Sequence, residues 1–410
     1  MNGGISDICA RLDLARLQVH FQPVVNLRTG DMVGVEALLR PVGEDGAMVS
    51  PGIIFERAAR MGLLLELERE ARELALHEFH AQEPPAELLL FLNFSAALLD
   101  DGRLDPGRIH ATVVAEQLAT ASIAIEIVES GVSSQEQLAA FAARNRAAGF
   151  LIVLDDFGTE HSNLERVALV RPDVIKIDRS ITSGAAGDPI KQSILRSIAY
   201  LARTIGALSL AEGIEEYEDL LVCAREGVEL AQGFYLGRPA ESLAHARKRQ
   251  MERLHESLAA LRADLSAQLR AASQVVQATV NAVGDIVAEL SACTRDTAED
   301  CLRRRIKGSP FSCAYLVDED GVQCSETLFV QSAPQRDRHP VFQPATRGTN
   351  HSLKDYVYGP LAQGRQDYVT HPYVSLASGH LCRTFSRRFT TTDGHALLLC
   401  VDTEDRGATL

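Results

Sequence analysis

From Gln18 to about Leu236, short apolar runs alternate with amphipathic helical stretches, and this alternation constrains the fold more than any other feature. The runs with strand character are Val19–Val25, Val33–Leu39, Leu88–Phe94, Ser122–Val128, Phe150–Leu154, Val174–Ile177, Ala207–Ala211 and Val228–Leu230. Helical spacing fills most gaps, at Glu56–Ala81, Ser133–Ala148, Pro189–Ile205 and Glu215–Glu226. Serial βα units demand a mostly parallel sheet covered by helices. Eight strands in ~220 residues predict a closed (β/α)8 barrel rather than an open sheet.

Residues 241–306 have a different character. They hold no proline and one glycine, Gly284, and their apolar residues recur at threes and fours from Leu254 to Leu290. That stripe predicts one long helix over about 245–303, which either pairs with a copy of itself or folds back, in its first half, on the barrel. From Ser309 the pattern turns β-rich, at Phe311–Asp318, Val322–Phe329, Tyr368–Ser375, Leu381–Phe389 and Ala396–Asp402, with a short helix at Ser352–Leu361. The expected organisation is a barrel at 1–240, a helical linker at 241–308 and a small α+β domain at 309–410.

Parallel barrel strands deliver their C-terminal ends to one face, where active sites are built. Those ends carry Glu36 and Arg40, then Asn93, Glu126 with Glu129, the adjacent Asp155 and Asp156, Lys176 with Asp178, Glu212 with Glu215, and Gln232. Gathered carboxylates resist desolvation unless cations or protons neutralise them. An all-oxygen donor set suits Mg²⁺ or Mn²⁺ better than zinc, and two such ions side by side serve phosphoryl transfer. The residues alone therefore point to a metal-dependent phosphoesterase.

The charge distribution agrees. Residues 1–240 hold 21 Lys and Arg against 35 Asp and Glu, so the whole net charge of −14 lies there. An acidic chain is a poor polymer-binding nucleic-acid protein, but with metals bound it can accept a phosphate-bearing small molecule. No apolar run reaches the ~18–20 residues of a membrane span. The N-terminus lacks a signal-peptide pattern. Eight cysteines without C-x-x-C spacing are expected to be reduced thiols of a cytoplasmic protein.

The ordered motifs Val35-Glu36-Ala37-Leu38-Leu39-Arg40, Asn93-Phe94-Ser95, Asp155-Asp156-Phe157-Gly158-Thr159, Asp173-Val174-Ile175-Lys176-Ile177-Asp178, Ala211-Glu212-Gly213-Ile214-Glu215 and Gln232-Gly233-Phe234 resemble the EAL domain. The resemblance implies a modified barrel whose first strand runs antiparallel, hydrolysis of cyclic di-GMP to linear 5′-pGpG, and a homodimer. It implies that Glu36, Asn93, Glu126 and Asp155 hold a first Mg²⁺ or Mn²⁺, that Asp155 bridges to a second supported by Asp156, and that Gln232 joins the metal-water network. Lys176 and Glu212 match the water-orienting pair, with Glu212 the general base. Gln22, Arg40, Asp178 and Glu215 resemble substrate contacts, and Glu129 anchors a loop. That loop departs from the family pattern, reading Glu160-His161-Ser162-Asn163-Leu164 where Gly-aromatic-Ser-Ser-Leu is usual. The same site also suits a receptor that binds the nucleotide without turnover. Residues 309–410, with His371, Tyr373 and Arg383, resemble a PAS/Cache-type sensor for an unknown small ligand.

Overall fold

The computed structural model describes residues 2–100, 103–105, 107–128, 134–159, 164–330, 343–375 and 380–404, in two compact units, Met1–Leu265 and Ser266–Leu410. Glu129 and Glu160-His161-Ser162-Asn163 of the sequence expectations lie outside the described residues.

The first unit is a closed eight-stranded barrel in sequential order: β1 (Leu14–Asn26), β2 (Met32–Gly43), β3 (Leu89–Ser95), β4 (Ile123–Val128), β5 (Leu151–Phe157), β6 (Val174–Ile177), β7 (Leu208–Ala211) and β8 (Leu230–Ala231). β1 is antiparallel to both neighbours, β2 and β8, while the other adjacent pairs are parallel. The antiparallel start follows from the short Leu27–Asp31 connection, since a parallel pair needs a crossover of a dozen residues or more. Helices α1 (Asn2–Arg11), α2 (Pro51–Arg60), α3 (Leu64–Ala81), α4 (Arg108–Ala115), α5 (Gln135–Ala147), α6 (Leu164–Val170), α7 (Arg179–Thr182), α8 (Pro189–Ile205) and α9 (Tyr217–Arg225) accompany the strands. The stretch expected as one helix over Glu56–Ala81 is broken after Arg60, where Gly62 takes a left-handed φ of 69°.

Inside the barrel, Val24, Phe91, Ala124, Val153, Val174, Leu210 and Leu230 form an apolar floor. Side chains two residues apart on a strand share a face. The next inward position above each floor residue is therefore Gln22, Asn93, Glu126, Asp155, Lys176, Glu212 or Gln232. On β2 the floor position is Gly34, where a Cβ would lie 2.6 Å from the Phe91 ring, and Glu36 stands above it.

The long helix expected over 245–303 is two helices. α10 (Leu243–Leu290) ends before Ser291, and α11 (Arg295–Arg305) restarts at a capping box formed by Thr294 and Thr297. Within the first unit α10 lies back on the barrel: Leu261 is buried in its core and Asp264 accepts a hydrogen bond from the Tyr217 hydroxyl at 2.9 Å. Within the second unit Val283, Ile286 and Leu290 of α10 join the core under the sheet.

That sheet is antiparallel, with β9 (Cys313–Asp318), β10 (Leu328–Phe329), β11 (Asp367–Val369), β12 (Tyr373–Val374), β13 (Leu381–Thr390) and β14 (Ala396–Glu404) in the order β10-β9-β14-β13-β11, β12 also pairing with β13. α12 (Asp355–Ala362) fills the expected helical position. The run Tyr368–Ser375 splits around Thr370-His371-Pro372, since proline has no N–H for the ladder. Val322–Phe329 shrinks to β10 because Gln323 bonds its backbone to Thr349 and Gly348 instead.

Candidate active site

The alternation that makes the floor apolar gathers the polar layer around one cation. Lys176 Nζ lies 2.6 Å from Glu212 Oε1, 2.9 Å from Glu126 Oε1, 3.2 Å from Asp155 Oδ1 and 3.7 Å from Glu36 Oε2. Only 1% of its side chain is exposed. Burial by itself would discharge the ammonium, but the carboxylates of Asp155, Glu126, Glu212 and Glu36 hold its pKa well above the ordinary lysine value. Lys176 is thus the internal counter-ion of the acidic layer.

Glu36 is fixed from both sides. Asn93 Nδ2 donates to its Oε1 at 2.9 Å and Gln232 Nε2 to its Oε2 at 2.6 Å, while Gln232 also reaches Gln22 Oε1 at 3.2 Å. Burial opposes ionisation there, yet Lys176 and the two amides outweigh it and keep the carboxyl below its usual range. Glu126 has the opposite balance. It is fully buried, its close cation is Lys176 at 2.9 Å from Oε1, and Oε2 has no hydrogen-bond donor among the described residues. Burial and the neighbouring Glu36 raise its pKa well above normal.

Asp155 and Asp156 are consecutive, and in a regular strand they would face opposite sides. A bulge brings them together. β5 pairs Leu154 with Ile175 and Phe157 with Ile177, spending one more residue than β6, and Asp156 takes a φ of 53°. Oxygens of Asp155, Asp156 and Glu212 consequently lie within 4.8 Å of one another. Burial and the charge of Asp155 push Asp156 to about 6, and burial pushes Glu212 to about 8. Gly158 completes the turn at φ 107°, where a Cβ would lie 2.1 Å from Ile181 Cδ1.

The remaining candidates stand around this layer. Arg40 is half-buried, donates to the Leu39 carbonyl at 2.9 Å, and lines a 490 Å³ cavity with Asn93 and Ser95. Asp178 caps α7 by accepting from Ser180 N at 2.9 Å, and the exposed Glu215 sits 3.3 Å from Arg179. Sequence reasoning passed over Glu68, which lines the same cavity, takes Arg72 at 2.6 Å and accepts from Ser95 N at 3.3 Å. Its neighbours Glu66, Arg69 and Glu70 make that stretch of α3 look like an ordinary solvated face, and only the helical phase could have singled it out.

The donor chemistry fits divalent cations. A buried carboxyl with one oxygen lacking any donor among the described residues, beside three more acids that one lysine cannot fully compensate, is a site for hard positive charge.

A barrel with one antiparallel strand and an all-oxygen acidic layer above an apolar floor is the architecture of EAL domains. The chain belongs to the EAL domain family, whose model matches residues 7–239. Among its relatives, the uncharacterized EAL-domain containing protein YkuI of Bacillus subtilis is 26% identical over 381 residues, covering 90% of each chain. The crystal structure of the Bacillus subtilis YkuI protein, in complex with substrate c-di-GMP and calcium, superposes with a TM-score of 0.77 at 27% identity, covering 97% of this chain and 96% of that one. MucR of Pseudomonas aeruginosa, a bifunctional diguanylate cyclase/cyclic di-GMP phosphodiesterase, is 29% identical over 243 residues, 57% of this chain and 35% of MucR. The solved PaMucR phosphodiesterase–c-di-GMP complex gives a TM-score of 0.52 at 27% identity, covering 57% of this chain and 95% of that one.

Proposed function

We propose that the barrel hydrolyses cyclic di-GMP to linear 5′-pGpG. The observation that carries this reading is the convergence of Glu36, Glu126, Asp155 and Glu212 on Lys176, with Asn93 on Glu36, Asp156 beside Asp155 and Glu212, and Glu126 Oε2 without a hydrogen-bond donor among the described residues. The c-di-GMP held by YkuI and PaMucR supports the choice of substrate. Glu36, Asn93, Glu126 and Asp155 would hold one Mg²⁺ or Mn²⁺, Asp155 with Asp156 a second, and Gln232 a water of that network. When bound, the ions supply a more acidic water and positive charge at the phosphate. Glu212 accepts the proton of the attacking water, and Lys176, at 2.6 Å, holds the Glu212 carboxylate in place. Water adds to phosphorus, the P–O3′ bond breaks, and the released 3′-oxygen takes a proton, giving one 5′-phosphate and one 3′-hydroxyl. Arg40 offers its guanidinium fork to a phosphate, with Gln22, Asp178 and Glu215 as further contacts.

Turnover assayed in parallel with Mg²⁺, Mn²⁺ and Ca²⁺ tests the assignment, pGpG being expected with Mg²⁺ or Mn²⁺. Tight c-di-GMP binding with unchanged nucleotide under every metal would make the barrel a receptor instead. Metal uptake is also expected to release protons. Glu212 at about 8 is largely protonated at pH 7 without metal, and the positive charge of ions held beside it would favour its ionised form and expel that proton. Affinity for Mn²⁺ should therefore rise with pH from 6 to 8, with at least one proton released per site at pH 7. Titration calorimetry in buffers of different ionisation heat reads this, and proton-free uptake refutes it.

The proposal extends to a cytoplasmic homodimer with a PAS/Cache-like regulatory unit. Leu164 and Ile190, 66% and 72% exposed, flank an apolar cleft with Phe157, Ile194 and Leu201, a face suited to a second copy. A chain ending at Leu265 tests both points while keeping Leu261 seated on the barrel. It should still sediment as a dimer but turn over c-di-GMP at a different rate from the full chain. A monomer places the dimer contact beyond Leu265, and an unchanged rate removes the regulatory role.

A further inference from the structure

Eight acids are buried among the described residues: Glu36, Glu68, Glu70, Glu126, Asp155, Asp219, Glu226 and Asp402. Six of them lie within 4.0 Å of a lysine or arginine, namely Lys176, Arg69, Arg72, Arg196 or Arg225. Asp219 has no such cation but accepts two backbone N–H groups, from Gly184 and Ala186. Asp402, on β14 and 4% exposed, has neither. Its side-chain partners are neutral side chains: Thr384 Oγ1 at 2.7 Å, Ser375 Oγ at 3.2 Å and Cys313 Sγ at 3.5 Å.

Asp402 also opens onto empty space. It lines a 550 Å³ cavity in the second unit, together with Tyr315, Tyr356 and Tyr373. A cavity of that size accommodates a small organic molecule. An ionised carboxylate has about four acceptor positions, and three donors leave room for another. Aromatic rings lining a cavity beside a carboxylate suit an organic cation. The exposed Lys354, Asp355 and His371 line the same cavity, so its solvent-facing part carries charge of both signs while Asp402 is its deep acid.

We propose that this cavity binds a small protonated amine, with its ammonium on Asp402 and its organic body between Tyr315, Tyr356 and Tyr373. The ammonium supplies the positive charge that the other ion-paired buried acids obtain from the chain itself. Burial pushes the Asp402 carboxyl above the usual range, as expected for a carboxylate whose counter-ion comes from outside. Simple amines and α-amino acids share this chemistry. An amino acid would in addition place its carboxylate toward Lys354. The inference deepens the regulatory reading of this unit, and rests on it only for the consequence to turnover.

The test is calorimetric titration of the full chain, without nucleotide, using ethylamine, putrescine, L-alanine and L-arginine. At least one is expected to bind saturably. Its N-acetylated counterpart, which has the same body but no ammonium there, should bind at least tenfold more weakly. Asp402→Asn should weaken the amine by a similar factor. Hydrogen exchange of the wild-type chain should slow along Ala396–Glu404 when the amine is added, a readout that needs no variant to fold. Lys354→Ala should weaken an amino acid severalfold and leave ethylamine unchanged, which separates the two sources. No binding by any of the amines at 10 mM, or equal binding of amine and acetylated amine, overturns the proposal. Because turnover is not read, such a failure leaves the phosphodiesterase assignment standing, while a chain that binds amines but hydrolyses nothing fails only the latter.

Discussion

Replacing Glu36 by alanine is expected to lower c-di-GMP turnover by ~10³-fold or more while leaving the barrel folded. Glu36 would act through the cation it helps to hold, and the magnitude is that of losing such positive charge from the reacting phosphate. Glu36 does two things at once. It offers oxygen ligands, and it fixes Asn93 and Gln232, both of which donate to it. The fold survives because Lys176 keeps three closer carboxylates, Glu212, Glu126 and Asp155, so no buried charge is stranded. Glu36→Gln separates the two roles, since it retains a polar side chain of the same length but loses the charge. If the role is cation binding, both variants should be inactive and should take up Mn²⁺ much more weakly. A Glu36→Gln enzyme with near-native kcat would show that orientation of the amides, not charge, is what the site needs.

Most of the polar layer was legible in the sequence because one rule generates it. In a barrel the residue two positions beyond an inward apolar residue also faces inward. Ala124 therefore implies Glu126, Val174 implies Lys176, and Leu210 implies Glu212, without any knowledge of side-chain contacts. The convergence of Asp155 and Asp156 was not legible from that rule, which assigns them to opposite faces. It depends on the bulge at β5 and the left-handed φ of Asp156. The depth of Lys176 was equally hidden. Its pairing with Glu212 follows from the motifs, but its contacts with Glu126, Asp155 and Glu36 emerge only when the strands are placed in space. Breaks inside helical stretches were missed for a different reason: the apolar stripe continues through Arg60–Leu64 and Leu290–Arg295, so periodicity alone cannot show where the backbone stops.

The second large effect is on stability rather than rate. Lys176→Met fills nearly the same volume but removes the counter-ion from Glu36, Glu126, Asp155 and Glu212. Breaking a buried pair by deleting one partner costs about 3–5 kcal/mol, because the remaining charge is uncompensated. The cost should depend on pH with a definite sign. Glu126 and Glu212 already have carboxyl pKa values raised by burial, the latter to about 8, and without Lys176 they rise further. A folded-state pKa above the unfolded value means that the folded chain binds more protons across that window, so stability falls as pH rises through it. The variant should therefore lie closest to the wild type near pH 5 and furthest below it at pH 8. Saturating Mn²⁺ should restore part of the loss at pH 8, since divalent cations neutralise the same oxygens. Differential scanning calorimetry of the barrel transition at both pH values, with and without metal, measures all three terms. A variant as stable as the wild type at pH 8, with no gain from Mn²⁺, would mean that water rather than Lys176 compensates the acidic layer, and the electrostatic account of the site would have to be abandoned.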